Sequence, residues 1–290
     1  MLEIKSYNYV YDDKTIFKNA NTTFVGGNII GLVGENGSGK TTFLLSLVGV
    51  NNPNYAIITY NKEPISDNLY YQRHSVYLSD EIIETNKSSH DYLVGLSKIY
   101  SKTINWNIYD KLSEKLEFDP NEIIKRMPKG KRRVAFIASR LALQPEVIIL
   151  DEYLDGLDIR SSNIIRDFLI DYKNTYNAII IISSHSTDDI KDFCDYLVFI
   201  DSMIMTQPIS LKDVVNKYAT YLVVDDQVTN RDFFIKKGIF VKDFQHINNK
   251  TYITIENDDA MIQRLNDLNL SQVKRIQETI EEAVYHELTS

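Results

Sequence analysis

The run Gly34-Glu-Asn-Gly-Ser-Gly-Lys40-Thr41 constrains the fold of this chain more than any other segment. It stands between a short apolar run, Ile29-Ile-Gly-Leu-Val33, and a helical pattern, Thr42-Phe-Leu-Leu-Ser-Leu-Val48. Two glycines, Gly34 and Gly39, with four residues between them and followed by lysine and a hydroxyl residue, satisfy the G-x-x-x-x-G-K-[ST] pattern in its required strand–loop–helix context. Glycines let backbone N–H groups curl round phosphates, and the following helix N-terminus adds a favourable field. Lys40 is placed to reach the β- and γ-phosphates, and the Thr41 hydroxyl to ligate Mg²⁺. A plain glycine turn between strand and helix is the alternative, which the context disfavours.

The surrounding pattern agrees with an α/β fold. Short runs rich in isoleucine and valine alternate with longer helical stretches: Val76-Tyr-Leu78, Val147-Ile-Ile-Leu150, Ile179-Ile-Ile-Ile182 and Leu197-Val-Phe-Ile200. Such runs read as buried strands of a mainly parallel sheet. The opening segment, with Leu2, Ile4, Ile16, Phe17 and Phe24, alternates more and reads as antiparallel strands flanking that core. Between about residues 86 and 127 the strand signal gives way to helical spacing, as in Leu93, Leu96, Ile99 and Tyr100. The pattern changes again beyond Ser202, so an α/β core over 1–205 is expected, followed by a small C-terminal α/β module over 210–290.

Two strand ends carry chemistry. Val147-Ile-Ile-Leu150 closes on Asp151 and Glu152. Ligands bind at the carboxyl edge of such sheets, so Asp151 is placed to hold Mg²⁺ through water and Glu152 to accept a proton from an attacking water. His185 ends the run Ile179–Ser184 and is placed to meet a γ-phosphate and that water, although a histidine at a strand end is usually structural.

Composition limits the other possibilities. The 290 residues carry 40 acidic and 32 basic side chains, a formal charge of −8, which argues against a dedicated nucleic-acid binder. Cys194 is the single cysteine, so no intrachain disulfide forms, and it reads as a buried packing residue. No apolar run approaches the roughly 20 residues that span a bilayer, and the first residues lack a signal-peptide pattern. Any membrane role is therefore expected to come through a partner.

Together these motifs resemble, over about residues 1–205, the ATP-binding subunit of ATP-binding-cassette (ABC) transporters. Gly34, Glu35, Asn36, Gly37, Ser38, Gly39, Lys40, Thr41 and Thr42 match its Walker A motif, and Val147–Glu152 its Walker B motif with the catalytic glutamate. Gly156-Leu-Asp158 looks like the D-loop and His185 like the switch histidine, while Tyr11 stands where the family stacks an aromatic on adenine. The resemblance implies ATP and Mg²⁺ as ligands, with Thr41, Asp80 and Asp151 on the metal side.

Two departures stand out. The family's Leu-Ser-Gly-Gly-Gln signature falls on Met127-Pro-Lys-Gly-Lys131. Gly130 survives, but Pro128 has neither a hydroxyl nor an N–H to donate; Lys129, Lys131 and the helix start are left to supply positive charge. The Lys125–Arg133 charge run reads either as this phosphate-facing feature or as a solvated helix start. The family's Q-loop glutamine falls at Asp80, which ligates metal but donates no amide hydrogen bond.

The resemblance further implies a separate transmembrane permease, a homodimer or a heterodimer with a second ABC ATPase, and a place on the cytoplasmic face of the membrane reached only through the permease. The tail Glu281-Glu-Ala-Val-Tyr285 resembles the Leu-Glu-Asp-x-Phe motif of export-type (ABC-2) ATPases. The whole is similar to ATPases of bacterial exporters for amphipathic peptides, phenol-soluble modulins included. A soluble, non-transport ABC ATPase and a regulatory cassette with negligible hydrolysis are the alternatives.

Overall fold

The computed structural model describes residues 1–79, 85–184, 193–201, 203–225, 227–228, 230–248 and 250–276, and the side chains of Asp155, Val214 and Val215 lie outside this description. Asp80, His185 and the Glu281–Tyr285 motif fall outside the described residues. The chain divides into two compact units, Met1–Pro208 and Ile209–Ser290.

The first unit is mixed α/β, with one antiparallel and one mainly parallel sheet. β1 (Leu2–Tyr11) and β2 (Lys14–Phe24) form a long hairpin, closed by Asp12 and Asp13 at φ 45° and 61°, as a tight hairpin turn requires. β4 (Tyr55–Tyr60) pairs antiparallel with β1, and the two-residue β5 (Glu63–Pro64) with β4, giving the order β2-β1-β4-β5.

The second sheet contains β3 (Asn28–Val33), β6 (Ser75–Ser79), β7 (Val147–Asp151), β8 (Ile179–Ser183), β9 (Tyr196–Asp201) and β10 (Ile204–Met205). Along the path β10-β9-β3-β8-β7-β6 the strands are parallel from β9 to β6, and β10 is antiparallel to β9. Every residue of β7 and β8 is buried, which accounts for the four consecutive apolar residues that open each strand.

α1 (Lys40–Leu47) packs in the core between these sheets. Phe43, Leu44 and Leu47 meet Leu2, Ile4, Tyr7, Phe17 and Phe24 of the antiparallel sheet and Ile30, Leu32, Ile149, Ile181 and Val198 of the parallel one. Tyr7 packs edge-on against Phe17 and Phe43, with ring centroids 5.1 and 5.4 Å away, while its hydroxyl is bonded to Ser46 Oγ at 2.9 Å. Buried on both sides, α1 has its first turn fixed at the sheet's carboxyl edge.

After α2 (Leu69–His74) and β6, the helical segment holds α3 (Ser89–Tyr100), α4 (Trp106–Lys115) and α5 (Lys129–Leu141). Ser88 caps α3 by accepting from Asp91 N at 3.1 Å, and Asn105 caps α4 by accepting from Ile108 N at 3.3 Å. α6 (Ile159–Tyr176) then returns the chain from β7 to β8. Cys194 is buried, and burial pushes its thiol well above the ordinary range.

The second unit carries an antiparallel sheet in the order Val241–Ile247, Lys250–Glu256, Tyr218–Val224, Gln272–Ile276. Helix Asp232–Ile235 connects Tyr218–Val224 to Val241–Ile247, and helix Asp259–Asp267 connects Lys250–Glu256 to Gln272–Ile276. This strand–helix–strand–strand–helix–strand topology is ferredoxin-like. Phe234 and Leu265 from the helices are fully buried with Tyr221, Val223, Ile253 and Ile255 from the sheet.

Candidate functional site

The loop between β3 and α1 ends at Gly39, whose φ of +103° lies in the left-handed region that glycine favours. A Cβ at Gly39 would fall 2.6 Å from Ile16 Cγ2 and 2.8 Å from Phe17 Cε2, so hairpin and loop meet where only glycine fits. Inside the loop, the Lys40 ammonium donates to the carbonyls of Gly34 at 2.6 Å and Glu35 at 3.1 Å. Lys40 is buried; burial holds its pKa below the usual lysine value, while the Glu152 and Asp151 carboxylates act in the opposite direction. A phosphate entering here would supply the negative charge this buried ammonium faces only in part. Ser38 Oγ is also buried without a hydrogen-bond partner among the described residues, a donor held for an incoming group.

A cleft of about 170 Å³ opens over this loop, lined by Asn36, Gly37, Gly39, Lys40, Thr41 and Thr42, with Ile16 from the hairpin and Glu152 from the end of β7. The structure therefore brings Glu152 to the same cleft as Lys40 and Thr41. A neighbouring groove of about 280 Å³ runs past Lys14, Thr15 and Ile16 along Glu35–Ser38 to Asp201. Tyr11 ends β1 opposite Lys14 and is 64% exposed, but it does not appear in the described lining of either opening.

Asp151 ends β7, with β6 and β8 on either side. Its register partners are Ser79 and Ser183. Oδ1 accepts from the Ser183 hydroxyl, and Oδ2 accepts from the Tyr77 hydroxyl at 2.8 Å. Two donors thus orient a carboxylate that is only 4% exposed. Thr41 stands exposed in the first turn of α1. These hard oxygen donors fit Mg²⁺, which keeps waters and substrate phosphates among its ligands rather than a full protein cage. Among the described residues no cluster of three or more His, Cys, Asp or Glu side chains could hold a metal by itself.

Glu152 has φ +51°, the left-handed region that non-glycine residues seldom enter. Its N–H is shared between the carbonyl and hydroxyl oxygens of Ser183, each at 3.1 Å. Tyr77 and Ser183, which fix the two acids, are not legible as site residues in sequence. Only the adjacency of β6, β7 and β8 brings them to Asp151.

The signature segment lies apart in the helical region. Pro128 is the N-cap of α5 and offers no side-chain cap; Gly130 follows in the first turn with open space over its Cα. Lys131 Nζ donates to the Leu116 carbonyl at 2.5 Å. Lys129 stays exposed. In the D-loop segment, Asp158 caps α6 by accepting from Ser161 N at 2.9 Å, and hydrogen bonds from Ser161 hold its carboxyl below the usual range.

Comparison with known proteins agrees with this geometry. The ABC transporter family profile matches residues 17–155. The lipoprotein-releasing system ATP-binding protein LolD of Buchnera aphidicola is 32% identical over 61% of this chain and 82% of its own length. The ABC transporter ATP-binding protein NatA of Bacillus subtilis is 31% identical over 66% of this chain and 81% of its own. YtrB of the same bacterium, also an ABC transporter ATP-binding protein, is 23% identical over 79% of each chain. Among solved structures, an ATP-binding subunit of an ABC transporter superposes with a TM-score of 0.67 at 21% identity, covering 74% of this chain and 91% of that one. An ABC transporter ATP-binding protein from Pyrococcus furiosus gives 0.60 at 27% identity, covering 69% and 96%. Fold, phosphate loop and sequence kinship converge, and the chain belongs to the ATP-binding proteins of ABC transporters.

Proposed function

We propose that this chain binds and hydrolyses ATP with Mg²⁺ and powers a separate membrane permease through ATP-driven dimerisation. The observation that carries the reading is the buried Lys40 ammonium, held inside the glycine loop and opening on the same cleft as Glu152. Lys40 and the loop N–H groups bind and orient the phosphates. Thr41 and Asp151 are the residues that would hold the metal. The metal, when bound, offsets the charge that develops on the transferred phosphoryl oxygens. Glu152 accepts a proton from the attacking water. His185 is assigned to the γ-phosphate, Asp80 to the metal side and Tyr11 to the adenine.

No helix among the described residues is long and apolar enough to cross a membrane; on this reading the permease handles the transported molecule. We assign that work to export of peptides or other amphipathic molecules. Support comes from the export-type tail motif and from a relative belonging to a lipoprotein-releasing system. On this reading the protein sits peripherally on the cytoplasmic face of the membrane, held there by its permease.

A second reading has an observation of its own. Pro128 leaves the start of α5 uncapped and Lys131 is turned away to Leu116, so the signature this chain offers a partner site is weak. Pairing with a second ABC ATPase that bears an intact signature would restore the site containing Lys40 and Glu152.

The test is Glu152→Gln. The variant should lose turnover and accumulate as an ATP-bound dimer in size-exclusion chromatography, whereas wild type in ATP should not. Hydrolysis at the wild-type rate would remove Glu152 from its assigned role.

A further inference from the structure

Arg133, in the first turns of α5, and Tyr153, which directly follows Glu152, grip one another reciprocally. Arg133 Nη1 donates to the Tyr153 carbonyl at 3.1 Å, and its guanidinium lies over the Tyr153 ring, 5.8 Å from the centroid. In return the Tyr153 hydroxyl donates to the Arg133 carbonyl. Each of the two residues is only 2% exposed. Gly156 completes the enclosure: a Cβ there would fall 1.7 Å from Arg133 Nη1, so a side chain at this position would force the guanidinium to shift. Burying a permanent charge is costly unless it is met by polar partners, and here Nη1 meets a backbone carbonyl and the guanidinium a ring face.

What the clamp holds is the residue beside it. Glu152 is in a left-handed conformation, which a glutamate keeps only when its surroundings over-determine it. On one side its N–H is fixed by Ser183. On the other, the chain passes immediately into the clamped Tyr153. Glu152 is therefore anchored at both flanks, and its side chain opens on the phosphate cleft.

We propose that Tyr153 and Arg133 are positioning residues for Glu152, tying its turn to the helix that carries the signature segment. The proposal rests on the reading of Glu152 as the base. Arg133 is three residues beyond Gly130 on α5, so movement of the signature end of that helix reaches the base of the same chain. In a head-to-tail dimer, where the signature of one chain meets the ATP of the other, the clamp links occupancy of one site to the geometry of the base in the second.

The experiment uses the full chain and compares wild type, Tyr153→Phe, Arg133→Lys, Arg133→Met and Glu152→Gln. Tyr153→Phe keeps the ring and removes only the returning hydrogen bond. It should lower kcat by about tenfold or more, the scale on which small misplacements of a catalytic group act. KM for ATP and affinity for a non-hydrolysable ATP analogue should stay at wild-type values. Arg133→Lys, which keeps a cationic donor, should retain more of kcat than Arg133→Met.

Wild-type turnover in Tyr153→Phe beside an inactive Glu152→Gln would overturn the clamp's role while leaving the base in place. Loss of analogue affinity in step with kcat would also overturn it, since that is the mark of general structural damage. Wild-type turnover in Glu152→Gln would instead remove the base itself, and the clamp's function with it.

Discussion

Gly39 shows how one residue sets the phosphate site. Its left-handed backbone turns the loop into α1, and its missing side chain lets Ile16 and Phe17 close over the turn. Gly39→Ala therefore meets two obstacles, a strained φ and a Cβ inside van der Waals contact. It should destabilise the first unit by about 1–3 kcal/mol, read by urea unfolding. Nucleotide affinity should fall well beyond what that loss explains, because relief of the clash displaces Lys40, the next residue. Lys40, Asp151 and Glu152 are legible in sequence because each lies inside a contiguous pattern. Their supports are not: Tyr77, Ser183, Arg133 and Tyr153 are ordinary residue types whose roles come from what they touch.

Among the elements, α5 is the one whose sequence departs from its neighbours'. α3, α4 and α6 begin with Ser88, Asn105 and Asp158, each accepting a backbone N–H of the first turn. α5 begins with Pro128, which accepts none through its side chain. Pro128→Ser supplies a cap worth about 1 kcal/mol, and it also returns a hydroxyl to the position where the family carries one. Turnover of the isolated chain should rise, measured as steady-state phosphate release. An unchanged rate would count against Pro128 as the limiting defect. That α5 is a helix is plain from Arg132–Arg140. That Lys131 spends its charge on Leu116 is not, because that carbonyl comes from the end of another helix.

For the molecule as a whole, each unit encloses its own buried cluster, one around Phe43 and the two sheets, the other around Phe234 and Leu265. A domain with its own core is expected to fold alone. The fragment Met1–Pro208 should accordingly unfold cooperatively and bind an ATP analogue as tightly as the full chain, measured by calorimetric titration. Weaker binding would assign the second unit a share in the nucleotide site. The change of pattern beyond Ser202 points to a second module, but its ferredoxin-like order is hidden in sequence. The strands at Val241–Ile247 and Gln272–Ile276 are too polar to stand out, and their pairing is settled by Lys250–Glu256 and Tyr218–Val224.

The sequence by itself determined that a phosphate loop joins a buried strand to a helix, that two acids end another buried strand, and that the core is α/β. These are local matters, since glycine φ, apolar periodicity and strand ends are written over a few adjacent residues. Only the tertiary structure decided that β7 lies between β6 and β8, so that Tyr77 and Ser183 orient Asp151 and Ser183 fixes the Glu152 turn. It alone decided that Arg133 closes on Tyr153 from a helix 20 residues away in sequence. Those choices depend on strand order and on contacts between distant segments, which no local pattern encodes.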